Sequence, residues 1–213
     1  MSSDKKWLVR IRNCIGFLGM ILPWISLIGA AIYSAAQGVP AAFWSTLSIS
    51  ATYYICPALT GILTAASIVL MCYSGYDWRD NIITSITGVF GLMVVLFPCN
   101  CTVSGEIVGF FQLPVALSNT IHCIAAAIFF ILLSINCLFL FTLGEETPTK
   151  QKKIRNIVYR VCGIGMASSL ALMIIPVKFF AKTFIVEALA LTFFGVSWLV
   201  KAQVFGILKD KQN

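Results

Sequence analysis

The sequence predicts an all-α membrane protein: a bundle of six transmembrane helices with both termini on the inner side. Three observations carry this. No Asp, Glu, Lys or Arg occurs from Asn13 to Tyr76, an uncharged run of 64 residues. About 20 apolar residues cross the hydrocarbon core of a bilayer, so that run suffices for two crossings. The chain is 59% hydrophobic and 11% charged, against roughly 25% charged in soluble domains. Its basic residues also fall on one side of the spans that hydropathy defines.

The predicted spans are residues 15–36, 55–73, 82–97, 121–143, 157–175 and 184–200, and residues 1–213 read as a single integral membrane domain. Continuous apolar runs favour helices over a barrel, whose strands alternate. The basic stretch before Ile15 has the shape of a signal peptide. The apolar run behind it is long, contains Pro23 and Trp24, and has no good small-residue cleavage site, so it is read as a retained first span. With six spans, 13 of the 15 basic residues lie inside, and Lys178 and Lys182 lie outside. That asymmetry fixes an N-in, C-in orientation, and one span more or fewer would scramble it. Trp7, Trp78 and Trp198 then fall at the inner interface and Trp44 at the outer one, depths that amphipathic rings favour.

The inner loops, 74–81 and 144–156, are short and charged. The outer loops are longer and apolar. Residues 37–54 carry Phe43, Trp44, Tyr53 and Tyr54 without a charge, and residues 98–119 carry Glu106 beside Phe110 and Phe111. Such segments are expected to lie on the membrane surface or to fold back over the bundle.

Glu187 is the one acid inside a predicted span, near the outer end of the sixth, and His122, the one histidine, lies at the outer end of the fourth. An ionisable group in lipid faces the bundle or a wet cavity, so the two are expected at similar depth and within reach of a direct or water-mediated contact. Either they form a polar site or they are a structural pair near the interface. Asn136 follows His122 by 14 residues, close to four helical turns, and shares its face. It reads as a polar track or as interhelical hydrogen bonding.

The eight cysteines divide by depth: Cys56, Cys99, Cys101 and Cys123 near the outer face, Cys14, Cys72, Cys137 and Cys162 in the inner half. In an oxidising outer compartment the first four are disulfide candidates, although Cys99-Asn-Cys101 lacks the Cys-x-x-Cys spacing of a thiol oxidoreductase. Asp77, Arg79 and Asp80 crowd one inner loop, with Arg160 on the same side. They read as helix capping or as a docking point for a partner. Gly88 with Gly91, and Gly163 with Ala167, are small-residue faces for close helix approach.

One histidine cannot build a three-histidine zinc site, and no metal site or cofactor is expected. No nucleophile elbow, second intramembrane acid, arginine ladder or channel filter is present. Basic residues clustered beside apolar spans argue against nucleic-acid binding.

Several phrases carry a family resemblance: Ser48-Ile-Ser-Ala-Thr-Tyr-Tyr54, Tyr73-Ser-Gly-Tyr-Asp77 with Asp80, residues 90–98, His122 with residues 125–130, residues 158–163, and Glu187 with residues 194–201. Over residues 45–201 this order resembles a family of small bacterial six-span inner-membrane proteins of the domain-of-unknown-function kind. More distantly it is similar to the DRAM/Frag-type six-helix proteins. The resemblance implies a fold and a bacterial inner membrane, but no reaction and no catalytic residues.

The leading expectation is a non-enzymatic protein that binds a lipid or other apolar ligand from the outer leaflet. Glu187 and His122 would supply its polar contacts, with Asn136 on the same face and Tyr53 and Tyr54 as aromatic walls. A small proton-coupled transporter or transporter subunit is the alternative, and a membrane-embedded thiol oxidoreductase or lipid-modifying enzyme a further one. The expected partners are membrane lipids, with a second copy or another membrane protein also open.

Overall fold

A computed structural model describes residues 3–100, 107–143, 149–205 and 208. The protein is all-α. The helices are α1 (Ser3–Gln37), the short α2 (Ala42–Thr46), α3 (Ala58–Met71), α4 (Trp78–Leu96), α5 (Val115–Ile135), α6 (Lys150–Ile174) and α7 (Lys182–Lys201). A 3-10 turn spans Ser50–Tyr54, and a π turn over Asn136–Leu140 prolongs α5. Two-residue strands Ile107–Val108 and Leu113–Pro114 pair antiparallel.

Five helices, α1, α4, α5 with its π turn, α6 and α7, are long and apolar enough to cross a membrane. The sixth apolar helix, α3, has 14 residues, about 21 Å at 1.5 Å per residue, short of the roughly 30 Å hydrocarbon core. The sequence predicts a span over 55–73 there. The helix instead starts after Pro57, which removes a backbone donor and biases Cys56 away from helix.

Helices α4 and α6 begin earlier than hydropathy predicts because polar caps, invisible to hydropathy, set their ends. Asp77 caps α4, its carboxylate accepting the Asp80 N–H at 2.9 Å. Thr149 caps α6, its hydroxyl accepting the Lys152 N–H at 3.1 Å. Helix α1 continues unbroken through Pro23.

The six longer helices form a closed ring. Sequence neighbours pack side by side from α1 through α3, α4, α5 and α6 to α7, and α7 packs back on α1. Glycines set the close approaches. At the α1–α7 seam, a Cβ on Gly195 would collide with Met20 Cγ and lie 2.8 Å from the Gly16 carbonyl oxygen. On α4, a Cβ on Gly88 would meet the Ser67 carbonyl of α3 at 2.5 Å, and one on Gly91 would collide with the Ser67 hydroxyl. Gly163 of α6 sits against α5, and its carbonyl accepts the Ser134 hydroxyl at 2.7 Å. These contacts give the predicted small faces at Gly88, Gly91 and Gly163 their physical role; Ala167 is exposed.

The interior is filled by Phe129, Leu133, Met166, Phe194 and Trp198. Outside, Phe17, Ile21, Trp24, Ile28 and Ile32 are exposed along α1 at spacings of three and four, so a continuous apolar stripe faces outward. Ile157, Val161 and Ile164 do the same on α6. A protein apolar both inside and outside is built for lipid, since in water such stripes would drive association.

The loops predicted to lie outside fold onto the ring in part. Leu47, Ser48 and Ile49 are buried, and the Leu47 carbonyl accepts the Phe184 N–H of α7 at 3.2 Å. The short hairpin lies against the end of α4. Phe97 stacks on Phe111 with centroids 5.1 Å apart, and Gly109, at φ +75°, has no room for a Cβ beside Pro98.

Candidate functional site

Two polar clusters sit at opposite ends of the ring. The first joins His122 of α5 to Glu187 of α7 through a residue the sequence reading did not single out, Ser50. The Ser50 hydroxyl lies 3.0 Å from His122 Nε2 and 3.2 Å from Glu187 Oε1. The Ile49 N–H donates to Glu187 Oε2 at 2.5 Å. His122 is buried and its Nδ1 lies 3.0 Å from the Val94 carbonyl oxygen and 2.8 Å from that of Phe97.

Proton accounting follows from these partners. Carbonyls only accept, so Nδ1 carries a hydrogen and donates it to them. The Ser50 hydroxyl has one proton to place between the His122 and Glu187 side chains. If Nε2 is bare, Ser50 donates to it, and Glu187 must be protonated to donate to the Ser50 oxygen. If Nε2 is protonated it donates to Ser50, which donates to the Glu187 carboxylate. Both arrangements contain the same number of protons. With one fewer, two lone pairs face each other across one of the contacts.

These three residues line a cavity of about 690 Å³. Most of its wall is apolar, from Ala126, Ala127, Phe130, Ile131, Leu170 and Met173, and Cys99 and Asn119 stand at its polar part. A smaller void of about 50 Å³ shares Ser50, Ala126, Phe130 and Glu187 with it and reaches Leu22 and Phe129. A cavity of this size with a few convergent polar groups is typical of a small-molecule site.

Other predicted members are placed elsewhere. Tyr53 and Tyr54 pack against each other, with centroids 4.7 Å apart, and neither lines the cavity. Their 3-10 turn sends Ser50 and Ala51 into the cavity instead, so the aromatic walls expected of Tyr53 and Tyr54 are supplied by Phe130. Asn136 shares a helix face with His122, but buried Phe129 lies between them, and Asn136 belongs to the cluster around Asp80. Cys123 lines the cavity, and Cys56 packs against Gly29 of α1; both are free thiols. Cys101 lies outside the described residues.

The second cluster, at the other end of the ring, centres on Asp80, which is fully buried. Its carboxylate accepts the Tyr76 N–H at 3.0 Å and pairs with Lys201 Nζ at 3.2 Å. The Thr84 hydroxyl sits 3.3 Å from Asp80 Oδ1 and 3.4 Å from Asn136 Oδ1, and its one proton serves either. Lys201 Nζ also faces aromatic rings, 3.8 Å from the Phe141 centroid, 5.3 Å from Tyr73 and 5.8 Å from Trp198, an arrangement that stabilises a cation in place of water.

Arg79 and Arg160, predicted with Asp77 and Asp80, do not join this cluster. Arg79 extends over the Trp78 ring at 5.5 Å, and both arginines are exposed. Asp77 acts as the helix cap. The sequence did contain a signal for Lys201: it follows Glu187 by 14 residues, the same four-turn spacing that relates Asn136 to His122. Ser50 had none, being one of several hydroxyls in an uncharged loop.

No known family profile, curated protein or solved structure matches this chain.

Proposed function

We propose that this protein is a polytopic membrane protein that binds a lipid or other apolar ligand from the outer leaflet without transforming it. The observation that carries this reading is the cavity of about 690 Å³, apolar over most of its wall and provided with one polar anchor, Glu187–Ser50–His122. In this reading α3 counts as the sixth span, completed by the turn before it and by local thinning of the bilayer. Both termini are cytoplasmic and the membrane is a bacterial inner membrane. The 13-to-2 charge asymmetry supports the orientation. So does the gathering of Arg12, Lys152, Arg155 and Lys201 at the end away from Glu187 and His122. The resemblance to small bacterial six-span proteins of unknown function is part of the same proposal.

The proton accounting at Ser50 favours a second reading, a small proton-coupled transporter. A hydroxyl shared between a carboxyl and an imidazole passes one proton between them without moving a heavy atom. A ligand that took over Ser50 would change how many protons the pair holds.

The test is mass spectrometry of lipids and small molecules that co-purify with the native protein, with a Glu187→Gln/His122→Ala double variant and with Ala127→Phe, which fills the cavity but leaves the polar anchor. Binding requires a defined species on the native protein that both folded variants lose. If all three carry the same bulk lipid, the reading fails. Ala127→Phe keeps the test decisive if the double variant does not fold. Proton uptake on ligand addition, abolished by Glu187→Gln, separates the transporter reading from simple binding.

A further inference from the structure

The cavity of about 690 Å³ beside Glu187 is lined by no Lys or Arg among the described residues. Residues 101–106, which follow its members Cys99 and Asn100, contain no basic residue either. Lys182, next to its member Thr183, turns its ammonium to the carbonyls of Met173 and Ile175, at 3.4 and 2.6 Å, and Lys178 is exposed. The remaining hydroxyls and amides of the wall, on Thr46, Ser48, Thr183, Asn100 and Asn119, are uncharged. The two proton arrangements of the Glu187–Ser50–His122 anchor agree with this. A neutral imidazole with a protonated carboxyl, or an imidazolium with a carboxylate, both sum to zero. Ile131 and Ile174 belong to the same wall and are also exposed on the outside of the ring, so the cavity reaches its side between α5 and α6.

A charged head brought against such a wall loses its water and meets no net counter-charge. An ionised phosphate, carboxylate or ammonium gives up far more on leaving water than a hydroxyl or amide does. A hydroxyl both donates and accepts, as do the serine and threonine side chains it would meet, and the asparagine amides offer both as well. An uncharged head is thus matched at the polar part of the cavity, while the body of the ligand lies on Phe130, Ile131 and Leu170.

We propose that the ligand of this cavity is an amphiphile with an uncharged head, a hydroxyl, ester or amide group on an apolar body, as in a monoacylglycerol or a long-chain alcohol. The inference rests on the reading of the cavity as a ligand site and names the chemistry of what it takes. Phospholipids, fatty acids and lipophilic amines are thereby set aside.

The experiment uses the full chain and counts bound molecules by native mass spectrometry after incubation with monooleoylglycerol, monooleoylglycerol phosphate or oleylamine at equal concentrations. These share a long apolar chain and differ in the charge of the head. The native protein should bind monooleoylglycerol at least about tenfold more tightly than either charged ligand, as expected for a charge left without a partner. Asn119→Lys, which adds a cation to the wall, should move the preference toward the phosphate by about tenfold. Ala127→Phe, or Leu170→Trp should it not fold, fills the cavity and should abolish retention. The proposal is overturned if a charged ligand binds the native protein as tightly as the uncharged one and is lost on filling the cavity; the cavity then remains a ligand site and only the charge assigned to its ligand fails. A preference that Asn119→Lys leaves unchanged overturns it as well, since the head would then be chosen by shape. If no ligand is retained, or if filling the cavity changes nothing, the ligand-site reading itself fails and takes this inference with it.

Discussion

The Asp80–Lys201 pair allows its contribution to be worked out from its surroundings. Asp80 is fully buried and its partner's side chain is 11% exposed, so water offers little to either charge once the other is gone. In Asp80→Asn the ammonium of Lys201 loses its counter-charge and keeps a neutral amide oxygen and the faces of Phe141, Tyr73 and Trp198. Breaking a buried pair from one side costs about 3–5 kcal/mol, and this change belongs in that range. Lys201→Met leaves the Asp80 carboxylate with the Tyr76 N–H and the Thr84 hydroxyl. At about 1 kcal/mol each, these two neutral donors soften the loss to about 3 kcal/mol. The double variant removes both charges while keeping similar shapes, which for buried pairs is often close to neutral, so it should cost about 1–2 kcal/mol. The expected coupling energy is therefore at least about 4 kcal/mol, roughly a thousandfold in the unfolding equilibrium. Equilibrium unfolding of the purified protein in mixed detergent micelles, by titration with sodium dodecyl sulfate, measures all four corners of the cycle. Single-variant costs that simply add in the double would refute the argument, because they would mean that water reaches these charges.

Other outcomes follow from equally local features. Gly195→Leu should destabilise the protein by about 1–3 kcal/mol through overpacking against Met20 and Gly16. Gly61→Ala, with nothing within 4 Å of the new methyl, should be neutral or stabilising by up to about 1 kcal/mol, and thermal unfolding of the pair distinguishes close packing from general intolerance of substitution. Ser50→Ala should cost about 1–3 kcal/mol by leaving His122 Nε2 and Glu187 Oε1 without their shared partner; equal melting curves for variant and native protein would show the bridge to be idle. A membrane-impermeant maleimide applied from the outer side should modify Cys123 in the cavity and be blocked by bound ligand, while Cys137, 1% exposed, stays unmodified. Mass spectrometry of the labelled chain reads both sites, and an outer thiol already oxidised in untreated cells would revive the redox alternative.

The helical class and the lipid-facing character were legible because both rest on long apolar runs, which hydropathy averages well. Helix ends were not, since Asp77, Thr149 and Pro57 act one residue at a time. Similar depth for Glu187 and His122 could be read from their positions along their spans. The link between them could not, because it passes through Ser50, whose loop folds inward only in the assembled ring. The same applies to Arg12, Arg155 and Lys201. As sequence they are topology-setting charges, and only the order of helices around the ring brings them to one cavity. Tyr53 and Tyr54 show the opposite error: aromatic residues close in sequence to Ser50 that pack on each other and do not line the cavity.

Both polar clusters depend on α7, which carries Glu187 near one end and Lys201 at the other and also closes the ring against α1. During synthesis the other helices enter the membrane first. Until α7 arrives, Asp80 waits in the bilayer without its cation, and the loop bearing Ser50 waits without the carboxylate that the Ile49 N–H will hold. Without α7, the face of α1 at Gly16 and Gly19 is also uncovered. A single late helix resolves all of them at once. Closure of the ring and burial of the last polar groups thus coincide in one event.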